Sequence, residues 1–140
     1  MEFTAIGKVT PNLSLLGGFT WLDAKVKKQR ENPALEGKHP IVVADQLFKI
    51  RAEYTIPAIQ NLSVSAALTH VGDSYADTLN TDKLPAYRVF DLGARYHLGT
   101  ARNPITLRLD VLNVADKHYW ANATALGEPR TVMFSVNTRL

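Results

Sequence analysis

Cysteine is missing from this chain of 140 residues, which removes disulfides, thiolate metal sites and cysteine catalysis. An excess of one charge is missing too. The 16 basic residues stand against 13 acidic ones, a net charge of +3, and they are scattered, so nothing in the composition points to nucleic acid. Long apolar runs are absent. The longest stretch free of Asp, Glu, Lys and Arg runs from Tyr54 to Gly72, and Thr, Pro, Gln, Asn, Ser and His interrupt it. No window offers the ~20 apolar residues of a spanning helix. Met1-Glu2-Phe3-Thr4 has neither the basic n-region nor the apolar h-region of a signal peptide. Hydrophobic residues make up 46% of the chain, enough to argue against disorder. By these averages the chain reads as one soluble domain or part of one.

The order of the residues says something else. Phe3, Ala5, Gly7 and Val9 alternate with Glu2, Thr4 and Lys8. Leu13, Leu15, Gly17, Phe19 and Trp21 alternate with Ser14, Gly18 and Thr20. The same period recurs in Phe48 to Ile56, Leu62 to Leu68, Phe90 to Leu98, Ile105 to Val111 and Val132 to Leu140. Period two is the signature of a strand, because successive side chains point to opposite faces. The pattern predicts seven strands of roughly 8–12 residues, longer than the ~5–6 of soluble strands and close to the ~9–11 that a tilted strand needs to cross a bilayer.

Connection lengths carry a second signal. Thr10-Pro11-Asn12, Pro57 to Asn61 and Gly99 to Asn103 are short; Lys25 to Gln46, Asp73 to Ala86 and Asn113 to Pro129 are long. Short and long alternate strictly. In an antiparallel meander this puts every tight turn at one end and every long loop at the other, as in outer-membrane barrels. Trp21, Tyr54, Tyr87 and Trp120 fall near predicted strand ends, where amphipathic rings suit the two membrane interfaces. Lys49, Arg51, Glu53, Asp91, Arg95, Arg108, Asp110 and Arg139 fall on the polar register in mid-strand. Unpaired ions are costly in a small closed core, so these charges predict a wide, wet or plugged lumen. The four histidines lack metal-ligand spacing, no glycine-rich phosphate loop occurs, and no nucleophile triad is arranged on turns. The reading is therefore a non-enzyme without a bound metal or covalent cofactor.

Three blocks resemble one known family. They are Thr10-Pro11-Asn12-Leu13 through Asp23-Ala24, Leu84-Pro85-Ala86-Tyr87 through Arg95-Tyr96, and Asn113-Val114-Ala115-Asp116-Lys117-His118-Tyr119-Trp120 with Gly127-Glu128-Pro129-Arg130-Thr131-Val132. In this order and spacing the chain resembles the end of TonB-dependent siderophore receptors. Where the family pattern has an aromatic and a final Phe, this chain has Ala115 and Leu140. The resemblance implies an all-β fold: an antiparallel up-and-down meander of about seven long strands, forming a segment of a transmembrane β-barrel. Residues 1–140 would be the C-terminal portion of a plugged barrel of about 22 strands, with plug, early strands and TonB-contacting segment absent. A natural truncation, a gene fragment and an engineered cut all fit.

The function implied is ferric siderophore uptake across the outer membrane of a Gram-negative bacterium, with the C-terminus periplasmic. The implied partners are lipid and lipopolysaccharide, the remainder of the receptor, and the TonB complex through the missing part. Lys27, Lys28, Arg30, Tyr75, His118 and Tyr119 are candidate ligand contacts in the long loops. Each has a plainer reading: the basic loop equally suits lipopolysaccharide phosphates, and the segment around Tyr119 suits a structural corner. Two alternatives remain at this stage. One is a small stand-alone outer-membrane barrel of structural or adhesion type; the other is a soluble β-sandwich.

Overall fold

In the computed structural model, residues 1–99 and 103–138 are described. Arg139, expected among the lumen charges, lies outside them. The strands are β1 (Glu2–Thr10), β2 (Leu13–Trp21), β3 (Gln46–Thr55), β4 (Leu62–Val71), β5 (Ser74–Tyr75), β6 (Lys83–Leu84), β7 (Tyr87–Gly99), β8 (Pro104–Leu112) and β9 (Thr131–Thr138). Seven of them form one antiparallel sheet in the order β1-β2-β3-β4-β7-β8-β9. This is the meander that the alternation predicts. Two elements were not foreseen: the β5–β6 hairpin inside a long loop, and a 3₁₀ turn at Pro33–Leu35 capped by the Asn32 side chain. β7 also starts earlier than its alternation suggested, because Tyr87 pairs with Val71.

Register carries the pattern across the whole sheet. Phe19 pairs with Phe48, and Phe48 with His70; Ile50 pairs with Leu68, and Leu68 with Phe90. Ala94 pairs with Leu109, and Leu109 with Phe134. Directly paired residues share a face, so one face is apolar from β1 to β9. The opposite face carries Lys49, Arg51, Glu53, Asp91, Arg95, Arg108 and Asp110. On the apolar face Arg88 is the one charged side chain among the described strand residues. It pairs with His70 at the long-loop end, where a long side chain reaches water.

Among the described residues no second layer packs on the apolar face. Phe134 is 66% exposed, and Leu84, in the β5–β6 hairpin, is the one buried apolar side chain among the described residues. A sandwich would lay a second sheet over this face; the only other sheet described is that hairpin. β1 and β9 are the two edges and do not pair with each other, so the seven strands do not close into a small barrel.

The loops sort as their lengths predict. At one end the tight turns lie side by side, with Thr55 N donating to Asn12 O (2.9 Å) and His97 N to Asn61 O (3.0 Å). Gly99 is required there: its φ is +88°, and a Cβ would stand 2.2 Å from Asn103 O. The three long loops, 22–45, 72–86 and 113–130, leave from the opposite end.

Candidate functional site

Two regions hold the candidate side chains: the polar face of the sheet and the cluster of long loops. On the polar face, Arg95 and Arg108 are direct cross-strand partners, an arrangement that is repulsive by itself. Each finds a carboxylate elsewhere, although among the described residues Arg95 Nε is buried without a hydrogen-bond partner. Arg95 is paired with Glu53 of β3. Arg108 donates Nε to Asp110 Oδ2 (2.6 Å) and Nη2 to Asp110 Oδ1 (3.1 Å), the two-pronged geometry that a guanidinium favours. Arg51 Nη2 donates to Ser65 Oγ at 3.0 Å. Gly93 makes the room: a Cβ would stand 2.7 Å from both Asp110 Oδ1 and Ser65 Oγ. Lys49 makes no ion pair among the described residues and is exposed. Asp91 accepts from the backbone N–H of Asn113 at 2.8 Å. The face is thus a nearly neutral, hydrogen-bonded wall, suited to water and polar surfaces.

The third long loop is built around Asn113, which sequence reasoning did not single out. It is 2% exposed. Its Nδ2 donates to Lys117 O (2.9 Å) and Glu128 O (3.0 Å), and its Oδ1 accepts from Lys117 N (2.8 Å). Its φ of +48° is one that asparagine tolerates better than most residues. Asp116 accepts from Arg130 N at 2.9 Å, and this bond holds its carboxyl below the usual carboxylate range. Tyr119 stacks on Tyr87 with ring centroids 4.0 Å apart. Gly127 lies against the same ring, where a Cβ would fall 2.0 Å from Tyr119 Cζ.

The stack corrects one expectation. Tyr87 does not stand on the apolar face. It shares the register of Val89 and Asp91, because it pairs with Val71 and not with His70. Trp21 and Tyr54 do lie on the apolar register, at opposite ends of it, 53% and 41% exposed. Tyr96, on the same register as Tyr54 and near the same end, was missed. Trp120 sits in the third loop, bridged to Leu126.

Of the candidate ligand residues, Lys27, Lys28 and Arg30 are exposed in loop 22–45, and His118 is exposed in loop 113–130. Tyr75 is half-buried in β5, its ring 5.9 Å from that of His39. No hydrogen bond or ring contact among the described residues joins Tyr75 to His118 or Tyr119.

Loops 22–45 and 72–86 are joined by contacts that the sequence did not announce. His39 N donates to Asn80 Oδ1 (2.7 Å), Asn80 Nδ2 donates to His39 O (3.0 Å), and Val42 N donates to Tyr75 O (2.8 Å). Asp77 orders the turn beneath. It accepts from the N–H groups of Asp82 and Thr81 (both 2.8 Å) and Leu79 (3.1 Å). These bonds, Asp82's foremost, hold its carboxyl below the usual range. Lys83 bonds Asp73 at 2.6 Å, lowering the carboxyl and raising the ammonium. Among the described residues no three His, Asp or Glu side chains gather as a metal site.

An all-β sheet with one lipid-like face, a charged opposite face and loops sorted by length is the wall of a membrane barrel. The family model described as "TonB dependent receptor-like, beta-barrel" matches residues 1–114. The chain belongs to this family. It is 29% identical to the ferrichrome receptor FcuA of Yersinia enterocolitica over 98% of its length, which is 19% of that receptor. It is 30% identical to the metal-pseudopaline receptor CntO of Pseudomonas aeruginosa, covering 93% of this chain and 19% of that one. Its fold superimposes on the ferric preacinetobactin receptor BauA of Acinetobacter baumannii with a TM-score of 0.88 and 32% identity, over 96% of this chain and 21% of BauA. The chain therefore spans about a fifth of the length of these relatives. By name they are receptors for ferrichrome, for metal-pseudopaline and for ferric preacinetobactin, and none is named as an enzyme.

Proposed function

We propose that this chain forms part of the wall of an outer-membrane importer for ferric siderophores, driven through TonB. The observation that supports this reading best is the sorting of the sheet. One face is apolar across all seven strands except at its long-loop end, where Arg88 pairs with His70, the other carries the mid-strand charges, and all three long loops leave from one end. Such a sheet faces lipid outward and a hydrated lumen inward. Trp21 at one end of the apolar face and Tyr54 at the other serve as interfacial anchors. The long loops face the cell exterior, against lipopolysaccharide, and the C-terminus faces the periplasm.

A ferric chelate would meet Lys27, Lys28 and Arg30 first, then His118, Tyr75 and Tyr119. The lumen wall would guide it past a plug whose displacement TonB drives. No bond is made or broken, and the chelate is cargo. The test is uptake of radioiron by receptor-deficient Gram-negative cells given a complete receptor gene in which this chain supplies the corresponding part of the barrel wall, since the seven strands alone do not close. Ferrichrome, ferrioxamine B and other chelates are offered, with and without TonB. Uptake of at least one chelate that disappears without TonB is the expected result. Protein in the outer membrane with no chelate taken up overturns the reading.

A further inference from the structure

We infer that loops 22–45 and 72–86 form a single spring-loaded lid, clipped by Asn80 and strained at Val42. The inference goes beyond transport and does not depend on which cargo is carried. Asn80 is a two-point clip. Its amide donates to the carbonyl of His39 and accepts from the N–H of the same residue (3.0 and 2.7 Å), which reproduces with one side chain the bonding of a strand neighbour. Asn80 is itself held: its φ is +58° and its own N–H bonds Asp77 O at 3.2 Å. Three residues beyond His39 the loops meet again, where Val42 N donates to Tyr75 O. Tyr75 is part of the β5–β6 hairpin, so this bond adds a short third strand-like contact to it.

Val42 makes that bond at φ +61°. A β-branched residue in the left-handed region is strained, and such strain persists only when the surroundings impose it. Here the surroundings are the clip on one side and the Tyr75 carbonyl on the other. Undocking frees Val42 to return to negative φ. The docked state therefore stores strain that separation releases, and the two loops open together because the same bonds close both.

Two substitutions should act in opposite directions on amide hydrogen exchange, read on the full chain in outer-membrane vesicles. Asn80→Ala removes the clip. The His39 and Val42 amides, in the loop that was not altered, should exchange about tenfold faster, the factor for about 1.4 kcal/mol, within the range for the two hydrogen bonds lost. Val42→Gly removes the strain, because glycine adopts positive φ freely. Exchange should slow several-fold at His39 and, across the interface, at the Tyr75 to Asp82 amides. Leu79→Ala, at an exposed position of the same turn, should change neither loop. If Asn80→Ala does not reach the membrane, Val42→Gly still decides. Slower exchange confined to residues 41–43, or faster exchange across both loops, overturns the lid. Because no uptake is measured, failure here leaves the transport reading standing, and failure of transport leaves the lid standing.

Discussion

At the scale of single residues, the decisive groups are small polar side chains buried or half-buried in loops. Asn113 satisfies two carbonyls and one N–H at once. Asn113→Ala leaves those groups without partners, and the loss should be about 2–4 kcal/mol, read as a lower urea midpoint of the membrane-embedded protein. Gly127→Ala drives a methyl into the Tyr119 ring. It should cost about 1–3 kcal/mol and abolish the near-ultraviolet signature of the Tyr87–Tyr119 stack. The loop carboxylates set a pH window. Asp73, Asp77 and Asp116 all sit below the ordinary value of 3.8. Their contribution is complete above that value and is lost as pH falls through the depressed ones. Lys83 is raised above 10.5, so its contribution is complete below that value and fails as pH rises through the raised one. Exchange protection factors in the loops should be level between about pH 5 and pH 9 and fall in stronger acid. Asp77→Asn should remove most of the acid limb at Thr81 and Asp82, whose N–H groups the Asp77 carboxylate holds.

At the scale of elements, parity along each strand decides which side chains lipid meets. Leu109 and Met133 test it on neighbouring strands. Leu109 lies on the apolar face between Ala94 and Phe134; Met133 lies on the polar face opposite Asp110. Leu109→Arg should cost about 2–4 kcal/mol, the toll of a cation at mid-membrane. Met133→Arg should cost far less, because it meets water and the Asp110 carboxylate. Equal losses in outer-membrane yield would contradict the assignment of faces. Gly93 belongs to the same account. It leaves the space that Asp110 and Ser65 fill, and with it the geometry of the Arg108 pair. The alternation in the sequence made the faces legible. Why Arg95 tolerates Arg108 across the strand was not legible, since its relief comes from Glu53, 42 residues away.

At the scale of the whole molecule, a sheet with an uncovered apolar face and two free edges has no core to keep it folded in water. The chain should require detergent or lipid to stay monodisperse, and sedimentation as a monomer in plain buffer would count against the membrane reading. Orientation is open to a separate check. Trypsin added to intact cells should cut after Lys27, Lys28 or Arg30, which are exposed in a long loop, and should leave the tight-turn end untouched.

The sequence alone determined the seven long strands of the main sheet, their faces, the sorting of loops and the family. The strands, faces and loops follow from periods and lengths read within a few residues, the family from the resemblance of three sequence blocks, and alternation survives in any sheet that respects it. Only the tertiary structure decided that Tyr87 turns inward to stack on Tyr119, that Asn113 anchors the last loop, and that His39 and Asn80 clip two loops together. The physical reason is separation along the chain. His39 and Asn80 are 41 residues apart, and no local propensity encodes which asparagine meets which carbonyl. That pairing exists only once β3 and β4 bring the ends of the two loops side by side.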